Sequence, residues 1–194
     1  YGATVGIMRL VGGELASKAS PRPLLQASMR YRFSEKWVGV GDFGLGWNAF
    51  EARGDTVFTA IYGTLGALRT IGRVKGATLR GAGGLGFYSW KYLFHGKSLR
   101  DPATQRFQRG IAPGGYLGLD LERRVSPHIV VTGNLQHHLL FTADSDAYAT
   151  FFDQNQSFLG FRAGVHYHFS PEEGIKWERK KSQKRVLESG KAGK

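Results

Sequence analysis

Four histidines and three acids stand where they could do chemistry: His137, His138, His166 and His168, with Asp144, Asp146 and Asp153. A serine or threonine nucleophile would need one of these imidazoles as a base within hydrogen-bond reach. A catalytic metal would need three converging protein ligands. Neighbours in a strand point to opposite faces, so His137 and His138 cannot act together. His166 and His168 share a face about 7 Å apart by strand rise and could take two positions on a metal, but no third ligand is identifiable. Cys is 0, which removes a thiolate metal site, a cysteine nucleophile and a disulfide scaffold. The reading is therefore no enzyme, no catalytic residue, no metal and no cofactor, with the histidines packed and hydrogen-bonded inside the fold.

The charge is strongly unbalanced. Lys+Arg is 27 and Asp+Glu is 15 over 194 residues, a formal net charge of +12. Residues 170–194, SPEEGIKWERKKSQKRVLESGKAGK, form a basic tail that opens on a strand-ending Ser-Pro. Its composition is that of a flexible segment, or of one that orders on a partner. In the second case Trp177 would be the anchor, with Lys180, Lys181, Lys184 and Arg185 meeting an acidic surface. Nucleic acid is excluded as a partner, because the remaining charge is spread over the chain rather than gathered on a reading face.

What must position these residues is a series of eight alternating segments over 1–169. In 24–33, Leu25, Ala27, Met29, Tyr31 and Phe33 fall on one face and Gln26, Ser28, Arg30 and Arg32 on the other. Period two of this kind is a strand with one apolar and one polar face. The pattern returns at 37–47, 77–93, 111–122, 129–142 and 157–169. The segments 1–11 and 56–70 also read as strands, but neither parity can be assigned as buried. Connections alternate between long (about 12–23, 48–55, 94–110 and 143–156) and short (about 34–36, 71–76 and 123–128), as an up-and-down barrel with unlike rims requires. No run of about 18 apolar residues exists for a transmembrane helix. Tyr1 opens directly into the first segment with no leader before it, as in an unexported or an already processed chain.

The faces indicate an inverted barrel, apolar outward and polar inward. An eight-stranded lumen is only wide enough for side chains, so small residues must alternate with large ones, as Gly44, Gly46, Ala82, Gly84 and Gly86 do. The polar faces carry both signs: Arg30, Arg32, Arg80 and Arg162 against Asp42, Asp120 and Glu122. A closed lumen needs such charges paired. Aromatics cluster at strand ends, as interfacial girdles require. The expected fold is all-β, an eight-stranded antiparallel up-and-down transmembrane β-barrel over 1–169, with a basic tail over 170–194.

The sequence at this point resembles the small outer-membrane barrels of Gram-negative bacteria, the OmpA-type eight-stranded domain. The hairpin MRYRFSEKWVGVGDFGLGW (29–47) carries the likeness through its Tyr-x-Phe strand end, tight polar turn and Trp restart. So does RAGVHYHF (162–169), where Arg162, Gly164, Tyr167 and Phe169 match the terminal signal read by the barrel-assembly machinery. The resemblance implies the bacterial outer membrane, with both termini in the periplasm, and lipid, lipopolysaccharide and the assembly machinery as partners. Some members modify lipid A with a Ser-His pair and a carboxylate, and no serine here stands beside a histidine in that pattern.

Two loops carry contact candidates. Loop 94–110 is basic and could bridge lipopolysaccharide phosphates. Loop 143–156 is acidic and offers Tyr148, Phe151 and Phe152. The functional expectation is a structural or anchoring barrel within a multiprotein envelope assembly for secretion, motility or attachment, docked to a periplasmic or outer-membrane protein through the tail. The alternative is a standalone surface barrel whose loops bind a ligand or host surface, and after it a lipid A-modifying enzyme.

Overall fold

In the computed structural model the described residues are 1–12, 16–50, 56–100, 105–142 and 155–169. Eight long strands form the barrel: β1 (Gly2–Gly12), β2 (Arg22–Arg32), β3 (Trp37–Phe50), β4 (Thr56–Val74), β5 (Ala77–Phe94), β6 (Arg109–Arg124), β7 (Ile129–Leu140) and β8 (Gln156–Tyr167). Each pairs antiparallel with the next in sequence, and β1 pairs with β8 from Gly2↔His166 to Gly12↔Ser157. The sheet is thus closed, which removes the unpaired edges that a bilayer could not solvate.

Alternation sets which residues face out. Met29, Phe43, Leu65, Leu85, Phe87, Leu117 and Phe161 are exposed on the outer wall, while Gln26, Asp42, Thr64, Asp120, Asn134 and Arg162 are buried within. The two open parities resolve as Thr4, Met8 and Leu10 inward in β1, and Thr56, Phe58, Ala60, Tyr62, Thr64 and Leu68 inward in β4. Strands of 11 to 19 residues meet or exceed the roughly 9–11 needed to span a bilayer.

The turns show why the rims differ. The expected turn at 71–76 is shorter in the structure, because β4 runs on to Val74 past a bulge between Thr70 and Gly72. Only Lys75 and Gly76 turn, at φ 46° and 81°, the doubly left-handed geometry of a two-residue hairpin. At 33–36 the Ser34 hydroxyl accepts from the Trp37 amide at 3.0 Å, and at 125–128 the Ser126 hydroxyl accepts from Ile129 at 3.1 Å. The long connection 94–110 is partly strand. It reverses at His95-Gly96, pairs Lys97–Ser98 back onto β5, and closes an Arg100↔Phe107 bridge.

Candidate functional site

The lumen gathers most of the predicted polar residues, and it is filled in layers. Towards the long-loop rim it holds an apolar and aromatic plug. Met8, Leu10, Leu24, Phe50, Phe58, Tyr62, Tyr88, Trp90, Tyr92, Leu140 and Phe158 are all buried there. Phe58 and Tyr92 lie 5.1 Å apart, and the His138 ring stacks on Phe158 at 4.4 Å. Inward glycines make room for these rings: a Cβ on Gly44 would overlap the Tyr62 ring, and one on Gly114 would meet Tyr88 at 2.7 Å. The expected alternation of small and large interior residues is therefore present.

Below the plug Arg162 is fully buried. Its Nε donates to Asn134 Oδ1 at 2.7 Å and its Nη1 to Tyr62 Oη at 2.7 Å. It also donates to the amide oxygens of Gln26 and Gln136. Tyr62 in turn donates to Gln26 at 2.8 Å. Arg162 is thus held by neutral acceptors rather than by a carboxylate.

Next to it lies an ion-pair network. Arg30 donates to both Asp120 oxygens, at 2.8 and 3.3 Å, and to Glu122 at 2.5 Å. Arg80 donates from Nε to Glu122 at 2.9 Å and from Nη1 to Thr70 Oγ1 at 2.7 Å. Arg30 reaches across the lumen from β2 to β6, so closure of the barrel, not strand pairing, makes this contact. Asp42 is buried opposite Ser28 in the β2–β3 ladder. Among the described lumen residues, Arg30, Arg80 and Arg162 balance Asp42, Asp120 and Glu122, three charges against three. Neutrality of this kind is what a low-dielectric interior demands.

Arg32 departs from the expected network. It shares the inward parity but is exposed at the short-turn rim and joins none of the described ion pairs. It lines a cavity of about 650 Å³ that opens at that rim and reaches inward to Arg30 and Glu122.

The histidines separate as strand geometry requires. His137 points to the outer wall, and His138 is buried, its Nδ1 2.9 Å from Tyr88 Oη. His166 is buried with Nδ1 3.3 Å from Thr132 Oγ1, so its near partner is a hydroxyl and not a carboxylate. Among the described residues no group of three His, Cys, Asp or Glu could hold a metal.

Of the terminal signal residues, Gly164 packs where a Cβ would overlap the β1 backbone at Ala3 and Thr4. Tyr167 stacks on His128 at 5.5 Å, and Phe169 lies 5.3 Å from Tyr1, both rings exposed at the short-turn rim. The tail residues Trp177, Lys180, Lys181, Lys184 and Arg185 lie outside the described residues, as do Tyr148, Phe151, Phe152, Asp144, Asp146 and Asp153.

Sequence reasoning missed Tyr62 as the hydroxyl partner of Arg162, because both parities of β4 are apolar. Its signal was indirect: Gly44 is the register partner of Tyr62, a small residue opposite a large one. The cationic rim beyond Arg32, completed by Arg124, also went unread.

No protein-family model and no curated protein matches the chain. Solved structures do match its shape. Ail, the attachment invasion locus protein of Yersinia pestis, is 18% identical with a TM-score of 0.50, covering 87% of this chain and 94% of that one. Neisserial surface protein A is 14% identical with a TM-score of 0.60, covering 87% and 95%. Ail in complex with the heparin analogue sucrose octasulfate is 16% identical with a TM-score of 0.51, covering 87% and 97%. At these identities the likeness is one of fold. This chain folds as the eight-stranded outer-membrane barrels do, apolar outside and polar within.

Proposed function

We propose that the protein is a non-conducting outer-membrane barrel that serves as a structural anchor, docked to an envelope assembly through the tail that follows Phe169. One observation carries this reading: the lumen is filled, from the aromatic plug through the Arg162 cluster to a charge-balanced ion-pair network. Such an interior supports rigidity and leaves no solute path. The short turns share one rim with the start of β1 and the end of β8, where Tyr1 meets Phe169, which supports a periplasmic position for that rim and for the tail. The OmpA-type likeness, the terminal signal at Gly164, Tyr167 and Phe169, and insertion by the barrel-assembly machinery belong to the same reading. The test is a mild-detergent pull-down from cell envelopes, comparing the full chain with one ending at Phe169. Recovery of a defined partner by the full chain alone supports tail docking. Recovery by both forms assigns the contact to the barrel, and recovery by neither removes the anchoring reading.

A second reading rests on the long-loop rim. The Arg100 and Arg109 guanidinium groups lie over the Phe107 ring at 4.3 and 4.9 Å, with Lys97 exposed beside them. Such a clamp suits a polyanion, lipopolysaccharide phosphate or a sulfated polysaccharide. The solved complex of Ail, a barrel of similar fold, with the heparin analogue sucrose octasulfate supports this reading. Retention on immobilised heparin that is lost in Arg100→Gln/Arg109→Gln would favour it over anchoring.

A further inference from the structure

We propose that the mouth of the barrel at the short-turn rim is a docking site for an acidic, partly apolar segment of a partner chain. The proposal rests on the anchoring reading above and gives the partner its chemistry.

The cavity there is about 650 Å³, far larger than a single phosphate or carboxylate needs. Among the described residues its charge is not neutralised from within. Glu122, the acid that lines it, is committed to Arg30 and Arg80. Arg32 and Arg124 stand on the inward parity at the rim, exposed, and in none of the described ion pairs. Deeper in, His166 lines the cavity while 1% exposed, and its Nε2 meets no hydrogen-bond partner. Arg30 Nε is likewise buried without one. The Arg30 Nε–H, a buried donor left unpaired at the wall of an open cavity, is what an incoming acceptor would satisfy, and His166 Nε2 joins it in the tautomer that carries the proton there. Forked guanidinium groups suit carboxylates in particular.

The remaining wall is largely aromatic and apolar, with Tyr31, Val38, Tyr167 and Phe169 on it, and carries the imidazoles of His128 and His168 as well. A ligand that fills the cavity must therefore carry carboxylates and apolar side chains together, as an acidic peptide segment does. The inner part of the cavity, at Arg30, Glu122 and His166, lies within the barrel, where a membrane lipid could not follow without drawing its acyl chains out of the bilayer. A basic tail starting at the same rim would present further positive charge to the same partner and speed its approach.

The experiment uses the full chain refolded in dodecyl maltoside and a fluorescein-labelled hexapeptide of alternating glutamate and leucine. Binding is read by fluorescence anisotropy for the native protein and for Arg32→Gln/Arg124→Gln. Both changes are at exposed rim positions, and folding is checked by the shifted mobility of the unheated barrel on gels. The expected result is saturable binding that weakens at least tenfold in the double variant, although the tail is intact. It should be absent for the glutamine–leucine peptide and resist an equal concentration of inorganic phosphate. Undiminished binding in the double variant would overturn the proposal and assign the contact to the tail. Displacement by phosphate at equal concentration would reduce the mouth to an adventitious anion site. If the labelled peptide does not bind but the envelope pull-down recovers a tail-dependent partner, the mouth fails and the anchoring reading stands.

Discussion

Glu122→Gln is the sharpest test of how the lumen holds together. The Glu122 carboxylate accepts from Arg30 at 2.5 Å and from Arg80 at 2.9 Å. The amide keeps the shape and removes the charge. Arg30 retains Asp120 as a counterion, whereas Arg80 keeps only neutral acceptors such as the Thr70 hydroxyl. The described lumen then holds three cations against two anions. Breaking a buried pair by removing one partner costs roughly 3–5 kcal/mol. Glu122 borders the open cavity, so the low end applies, about 3 kcal/mol, or about 150-fold in the folding equilibrium. Restoring the balance should restore stability. In Glu122→Gln/Arg80→Met the count is two against two, and most of the loss should return, a coupling of about 2 kcal/mol or more. The assay is urea unfolding of the barrel in phospholipid vesicles, followed by the fluorescence of its three tryptophans, Trp37, Trp47 and Trp90. A single-variant cost under about 1 kcal/mol, or two single-variant costs that simply add, would refute the view that the network is held by mutual neutralisation.

Three further outcomes follow from the same geometry. Gly44→Val drives a side chain into the Tyr62 ring and should cost about 1–3 kcal/mol; adding Tyr62→Leu should recover part of it, and unchanged unfolding of the single variant would contradict the packing. Leu65→Arg places a charge mid-strand on the outer wall, where the native residue is 76% exposed, and should cost about 2–4 kcal/mol in vesicles, against about 0–1 for Phe33→Arg at the rim. Equal costs at the two sites would dispute the membrane orientation. Reconstituted in planar bilayers, the native protein should give no stepwise current, and reproducible conductance steps would show that the plug and network leave a path.

Legibility in the sequence followed where the two faces of a strand differ in polarity. In β2, Leu25, Met29 and Tyr31 alternate with Gln26, Ser28 and Arg30, so parity, and with it the outside of the barrel, could be read directly. In β4 it could not. Phe58, Tyr62 and Leu68 face in while Ile61, Leu65 and Ile71 face out, and two apolar faces carry no alternation signal. The same blindness hid the part of the aromatic plug that β4 supplies, since Phe58 and Tyr62 look no different from wall residues until the barrel closes. The rim positions fared similarly: Arg32 continues the inward parity of Arg30, but only depth tells a buried partner from an exposed one.

The sequence by itself determined the eight strands, the inverted faces, the unlike rims and the glycines that must lie under large interior rings. These follow from local rules: a side-chain period of two, turn chemistry, and the narrow bore of eight strands. The tertiary structure alone decided which charges meet. Arg30 and Asp120 are 90 residues apart and on strands that do not pair, and Arg80 is the register partner of Asp120 yet bonds Glu122. Contacts across a lumen depend on strand tilt and stagger, which ladder register and the bulge at Thr70–Gly72 set jointly for the whole closed sheet. No single segment encodes that stagger. The ion-pair network and the cationic mouth therefore exist only once the barrel is closed.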